Sequence, residues 1–466
     1  MQSVSARPND SILAPLPARE VFYDLFEGRF GEEERGRAAS FLCARLMDAE
    51  AVDSDLPARM TDLDAWMQEA VERVGAQYHD YLEARKNGAP RRYFSSKSHA
   101  LYFLRSVAPT KLVDGAWLYG LLSRWSDPRF SSLVKTYLEE LGEGLPTKNH
   151  VVLYRKLLLS QGLERFDDLS DDHYTQGAIQ LALAYNADRF LPEIIGFNLG
   201  YEQLPLHLLI TAYELKELSV DPYYFTLHIT VDNADSGHAR QAVDAVFAAM
   251  PRVGDPDEFW SRVRAGYALN YLGASTTSVI GEFDLEAELV SIFERKGAVG
   301  RFAHSDYRQV EDRTVNDWLS EPGDTLALVR AMERDGWFKR GQDPANSRFW
   351  KLIHGERARM FGVFSPYEQQ IIWDWIAADA PDKDRFARFT SPLLSFEAKQ
   401  RLRQAAAPVE DGASDFDDEV RALEEKLAWS NSQENTMDTL ISLMSPALHH
   451  SAAGLKATRI FNDVLG

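Results

Sequence analysis

Residues 223–239, YYFTLHITVDNADSGHA, are the stretch around which the rest of the chain can be interpreted. Apolar and aromatic residues fill most of its first half, and polar side chains recur at His228, Asp232, Asp235 and His238. At 3.6 residues per turn the first three share one narrow helix face, and His238 lies at its edge. Buried carboxylates are costly unless a cation neutralises them. The stripe is therefore either an exposed polar face or one wall of a metal site.

The charge, the apolar runs and the cysteine content of the chain exclude several classes of function. The 466 residues carry a formal charge of −20, which argues against a nucleic-acid partner because no surplus of Lys and Arg faces the phosphates. No apolar run reaches the ~18–20 residues that span a bilayer, so no membrane segment is expected. The first residues lack the apolar core of a signal peptide, and the expected location is the cytoplasm. A single cysteine, Cys43, leaves only nitrogen and oxygen ligands for any metal.

The periodicity predicts an all-α protein. Apolar residues recur at three- and four-residue intervals along most of the chain, and no strand pattern or fixed repeat is visible. Breaks rich in proline, glycine and acidic residues predict five segments. These are a disordered leader (1–18), an N-terminal helical annex (19–90), a central helical domain (91–318), a linker (319–346) and a C-terminal helical extension with an acidic loop at 408–418 (347–466).

Two further stretches of the central domain place acids among apolar residues. Glu140 and His150 are ten residues apart, across two glycines and a proline, so they can face the same way if the helix is only kinked. Glu202 lies in an almost wholly apolar run and lands about 180° from Glu193, so only one of these two can face a shared site. Asp114 is interpreted either as a hydrogen-bond acceptor at a helix end or as a distal site residue.

Together these residues form a plausible ligand set for two iron ions. Carboxylates that bridge and imidazoles that bind terminally are what a pair of irons held by nitrogen and oxygen needs. Motifs of zinc proteases, serine hydrolases, P-loop enzymes and dinucleotide-binding folds are missing, as is the ferritin-type pair of Glu-x-x-His motifs. The candidate metal ligands, in chain order, are Glu140, His150, Glu202, His228 and Asp232, followed by either Asp235 or His238.

At this point the sequence resembles a known family, the haem-oxygenase-like diiron oxidases, also described as iron-containing redox enzymes. The element from Glu140 to His150 is similar to the family's Glu-Tyr-Gly-x-Gly…His element, Glu202 to its middle glutamate, and His228-x-x-x-Asp232 to the start of its last ligand run. The resemblance covers roughly residues 95–280. It implies a haem-oxygenase-like helical bundle, two irons per chain, a small-molecule substrate, O₂ and an external electron donor.

One position departs from the family pattern. The family's final histidine falls at Asp235, and the chain has a histidine only at His238. Either Asp235 replaces the imidazole, as the phase of a regular helix favours, or an irregular helix near Gly237 turns His238 inward. We favour His238, because the resemblance implies a final imidazole ligand and because glycine is a poor helix-interior residue. On this interpretation the predicted metal ligands are Glu140, His150, Glu202, His228, Asp232 and His238, with Asp235 as the alternative to His238. A third register pairs Asp235 with His238 but places Val231 at the first histidine.

The resemblance implies an enzyme that activates O₂ to oxidise a small organic substrate by N-oxygenation, desaturation or oxidative C–C cleavage of an amino-acid-like or fatty-acid substrate. Tyr201, Tyr223 and Tyr224 are candidates for its pocket, or simply core aromatics. Two alternatives remain: a metal-free small-molecule-binding or cofactor-independent enzyme on the same fold, and an all-α interaction scaffold. A homodimer also stays open.

Overall fold

The fold was analysed in a computed structural model, which describes residues 16–28, 31–231, 237–300, 309–320, 323–378, 418–430 and 432–465. About 70% of this described part is helical, and the all-α prediction is confirmed. Its only strands are β1 (Gln309–Val310) and β2 (Arg313–Thr314), which pair antiparallel in a small hairpin. None of the described helices is both long and apolar enough to cross a membrane.

The helices of the N-terminal and central parts are listed here in chain order. They are α1 (Ala18–Phe26), α2 (Glu32–Ala49), α3 (Leu63–Lys86), α4 (Lys97–Ser106), α5 (Ala108–Lys111), α6 (Ser131–Glu140), α7 (His150–Gln161), α8 (Thr175–Tyr185), α9 (Leu191–Tyr201), α10 (Leu206–Glu217), α11 (Tyr223–Val231), α12 (His238–Ala249), α13 (Pro256–Ala268), α14 (Thr276–Gly281) and α15 (Leu285–Gly300). Short 3-10 helices occupy Met60–Asp62, Ala116–Arg124, Pro128–Phe130, Gly142–Gly144, Asp171–Tyr174 and Leu269–Tyr271.

The C-terminal part continues in the same way. Its helices are α16 (Val315–Ser320), α17 (Thr325–Arg334), α18 (Arg348–Ile353), α19 (Pro366–Ala377), α20 (Asp418–Ala428), α21 (Gln433–Leu443) and α22 (Ala452–Leu465), with a 3-10 helix at Pro344–Asn346. The interval 319–346, expected as a linker, contains α17 instead. This helix buries Leu328, Val329 and Met332, which share one face at three- and four-residue spacing. The leader up to residue 15 and the acidic loop at 408–417 lie outside the described residues.

Two hydrophobic cores organise the bundle. The first is built from α1, α2, α6, α8, α9, α12 and α13, and the C-terminal helices add residues such as Leu440 and Phe461 to it. The second is built from α4, α7, α10 and α11, together with helices between α15 and α19. Consecutive residues Leu112 and Val113 belong to different cores, so the turn that follows α5 lies where the two cores meet.

Candidate metal centre

Buried acids and histidines meet at the boundary between the two cores. Glu140, Glu202 and His238 are carried by α6, α9 and α12 of the first core, whereas His150 and His228 are carried by α7 and α11 of the second. Ligand atoms within 4.8 Å of one another form two groups, which share one residue. The first group contains Asp114, Glu140, His150 and His228, and the second contains Glu140, Glu202 and His238. All members are buried.

Most of the cluster residues lie at helix ends. Glu140 is the last residue of α6, Glu202 caps the C-terminal end of α9, and His150 and His238 are the first residues of α7 and α12. The C-terminal end of a helix carries partial negative charge, which disfavours a carboxylate there. Two buried glutamates in such positions therefore require positive charge close by, and a metal ion would provide it.

Glu140 connects the two groups. Its Oε2 lies 2.6 Å from Nδ1 of His150, and its Oε1 lies 3.5 Å from Nδ1 of His238. Nδ1 of His238 also lies 3.0 Å from Oε2 of Glu202. The two oxygens of one carboxylate thus face two different histidines, one in each group.

Asp114 enters the cluster from the turn after α5. Its Oδ2 lies 3.0 Å from Nε2 of His228 and 3.8 Å from Nδ1 of His150. The next residue, Gly115, has φ +78°, and a Cβ there would lie 2.7 Å from Cβ of Glu140. Only glycine allows this turn to approach α6 so closely. Of the two interpretations of Asp114, the structure thus supports that of a site residue, and the glycine that directly follows this acid is the local sequence signal for it.

Two tyrosines hold Asp114 in place. The hydroxyl of Tyr224 donates to Oδ2 at 2.5 Å, and the hydroxyl of Tyr201 donates to Oδ1 at 2.9 Å. Nζ of Lys111 donates in turn to the Tyr201 hydroxyl at 3.0 Å. Burial raises the pKa of Asp114, but the Lys111 ammonium and the hydrogen bond and charge of His228 outweigh it and hold that pKa well below its usual range. Asp114 is therefore an ionised carboxylate.

The histidines are oriented by partners outside the cluster. Nδ1 of His228 lies 2.8 Å from the Tyr224 carbonyl, so its Nε2 is the atom that faces the cluster. Nε2 of His238 lies 2.8 Å from Oε2 of Glu139, so its Nδ1 faces inward. Burial raises the pKa of Glu139, but the hydrogen bond and charge of His238 lower it overall. Such outer partners fix the ring orientation of metal-binding histidines.

The structure separates the remaining sequence candidates. Glu193 points away from the cluster and forms an ion pair with Arg262 at 2.7 Å, as its opposite phase to Glu202 requires. Tyr201 and Tyr224 lie at the cluster, but Tyr223 is 45% exposed and its hydroxyl donates to the Thr147 carbonyl instead. The pocket assignment of Tyr223 is thus not supported by its position.

The last ligand run is only partly described. α11 ends at Val231 and α12 begins at His238, with Gly237 in an extended conformation before it. His228 and His238 therefore belong to two helices, and His238 is 1% exposed and faces Glu202. The predicted ligands Asp232 and Asp235 lie outside the described residues.

The donor set fits iron. Three carboxylates and three imidazoles, all buried and without sulfur, form two groups that share a glutamate. Oxygen and nitrogen donors of this kind suit nonhaem iron, although zinc and manganese accept the same atoms.

The sequence was compared with known families, curated proteins and solved structures. No curated protein and no solved structure matches the chain. The model of a family described as iron-containing redox enzyme matches residues 101–271, a range that includes every cluster residue from Asp114 to His238. The resemblance seen in the sequence is confirmed for residues 101–271, which are similar to the family of iron-containing redox enzymes.

Proposed function

We propose that the protein is a nonhaem diiron oxidase that activates O₂ and oxidises a small organic substrate. The observation that carries the proposal is Glu140, whose two oxygens face the two buried donor groups. With Glu140 as the bridge, Asp114, His150 and His228 would hold one iron, and Glu202 and His238 would hold the other. Two ferrous ions bound there would supply the electrons that reduce O₂.

The chain's own residues would hold these ligands and keep the site dry. Tyr201 and Tyr224 each donate a hydrogen bond to Asp114, and the two bonds would fix the orientation of its carboxylate before any metal binds. Glu139 holds the His238 ring from its outer side. Because the ligands come from two separate cores, their mutual distances are set by tertiary packing, and preorganised ligands lose little entropy on binding metal.

Binding of ferrous iron under anaerobic conditions tests the proposal. About two irons per chain are expected, followed by O₂ uptake and a transient visible absorption band when air is admitted. Glu140→Gln should lose both irons, because the bridge belongs to both groups. Glu193→Gln is the matched control, since this glutamate is equally buried but pairs with Arg262 outside the cluster. Unchanged iron content in Glu140→Gln would remove the diiron proposal.

One observation favours a second candidate, a metal-free enzyme on the same fold. Asp114 already accepts hydrogen bonds from Tyr201 and Tyr224, and its Oδ2 lies 3.0 Å from Nε2 of His228, as in a self-contained polar network. The same experiment separates the two, because a metal-free enzyme would bind no iron stoichiometrically.

A further inference from the structure

The C-terminal segment packs against the turn that joins two of the candidate ligands. This turn, residues 141–149, runs from the end of α6 after Glu140 to the start of α7 at His150. Gly144 in the turn has φ +79°, and a Cβ there would lie 2.3 Å from the Leu455 carbonyl oxygen of α22. Nearby, the buried Tyr137 hydroxyl of α6 donates to the Met444 carbonyl at 2.6 Å. The turn is thus in direct contact with a part of the chain 300 residues away.

One side chain joins the two ends of this turn. Asn149 is fully buried and is the N-cap of α7, where its Oδ1 accepts from the Val152 amide at 3.0 Å. Its Nδ2 donates to the carbonyl of Leu141, just beyond α6, at 3.1 Å. One amide group therefore links the end of the helix that carries Glu140 to the start of the helix that carries His150.

His449 completes the hydrogen bonds of that amide. Its Nδ1 lies 3.2 Å from Nδ2 of Asn149, and its side chain is 2% exposed. Because Oδ1 of Asn149 is occupied by an N–H donor, the group that faces His449 is the NH₂, and Nδ1 of His449 accepts. The oxygen and both N–H groups of the Asn149 amide then each have a hydrogen-bond partner. Without His449, one of these buried N–H groups would lose its acceptor.

We propose that His449 is a positioning residue for the metal centre: through Asn149 it sets the turn that brings Glu140 and His150 together. The effect on iron binding rests on the proposed metal site, whereas the contacts among His449, Asn149 and the turn do not. His449 lies outside residues 101–271, the range that matches the iron-containing redox family. Through His449, the C-terminal segment would therefore help to position the ligands of the metal centre.

Two substitutions of His449 test this role. His449→Leu removes the acceptor, whereas His449→Asn keeps an oxygen near the position of Nδ1. In iron-free protein, hydrogen exchange measured by mass spectrometry on peptides that contain Val152 should become about tenfold faster in His449→Leu, since an unpaired buried group loosens the cap. His449→Asn should restore slow exchange. The affinity for ferrous iron should likewise be weaker in His449→Leu and be restored in His449→Asn.

His99→Leu is the matched control. His99 is also buried, with Nε2 2.9 Å from the Ile280 carbonyl, and its ring contacts Phe94 and Phe283 rather than the turn. Its substitution should leave both exchange at Val152 and iron affinity unchanged. Tyr137→Phe provides a second variant should His449→Leu fail to fold, because it removes only the hydroxyl that anchors Met444 and should speed the same exchange to a smaller extent.

The outcomes separate this proposal from the proposed function. Exchange at Val152 that stays slow in both His449→Leu and Tyr137→Phe would overturn the positioning role, whatever the iron content. Faster exchange with unaltered iron affinity would overturn the link to the metal centre. If the unaltered protein binds no iron, the proposed function fails, and the exchange experiment alone decides whether His449 sets the turn.

Discussion

Oε2 of Glu140 lies 2.6 Å from Nδ1 of His150, although the two residues sit on opposite sides of a turn and on helices of different hydrophobic cores. The turn is short and contains three successive residues with positive φ, Gly142, Glu143 and Gly144. The two glycines adopt such angles at little steric cost, whereas Glu143 rarely would, so the packing around the turn must maintain its conformation. The contact is therefore a product of the turn and its packing.

We expect the two iron positions to be separable. Asp114→Asn should reduce the iron content from about two to about one per chain, because Asp114 belongs only to the group with His150 and His228. Glu202→Gln should likewise lose one iron, from the other group. Metal analysis after gel filtration measures both. A variant that loses both irons would show that the two positions are filled only together.

His238, not Asp235, is expected to be the last ligand. His238→Ala should lose the iron that is proposed to bind at Glu202, because Nδ1 of His238 lies 3.0 Å from the Glu202 carboxylate. Asp235→Asn should retain it. The iron content of the two variants decides this. Loss of iron in the asparagine variant alone would identify Asp235 as the ligand.

Tyr224→Phe should weaken both stability and the metal site. Its hydroxyl donates to the ionised Asp114 at 2.5 Å, and a buried hydrogen bond to a charged group contributes about 1.5–3 kcal/mol. Urea unfolding of iron-free protein should show a loss of that size. Tyr154→Phe is the control, since that hydroxyl donates to the neutral Leu104 carbonyl at 2.6 Å. Only Tyr224→Phe should shift the visible absorption of the iron-loaded protein. Equal effects of both substitutions would contradict a special role for Asp114.

The protein should lose stability on mild acidification. Burial, aided by the charge of Lys111, lowers the pKa of His207 to about 4, and burial aided by Arg155 lowers the pKa of His450 to about 3. Unfolded histidine titrates near 6.5. Below pH ~6.5 the unfolded chain binds protons that the folded chain does not, so the free energy of unfolding falls by up to about 1.4 kcal/mol per pH unit for each histidine.

Urea unfolding of iron-free protein between pH 7 and 4.5 measures this dependence. His450→Gln should make the loss of stability less steep, and substitution of the exposed His79 should not. A pH dependence that is the same in all three proteins would mean that His450 does not carry the effect.

Much of the architecture follows from local sequence pattern. The three- and four-residue spacing of apolar residues predicts helices, because that spacing places them on one face, and most of the described residues are helical. The same argument separated Glu202 from Glu193, since nine residues place them on opposite faces of α9 and its cap. Glu140, His150, Glu202 and His228 were selected because acids and imidazoles in apolar surroundings need partners, and the structure places these four together.

Only the tertiary structure decided the rest. Asp114 lies in a turn, where no periodicity indicates direction, and its entry depends on the close approach that Gly115 allows. His238 begins its own helix, so its phase relative to His228 could not be calculated from one continuous helix. The contact between Asn149 and His449 joins residues 300 apart. Periodicity specifies the face of a residue within its own helix, but the relative placement of helices depends on turns and on which cores they share.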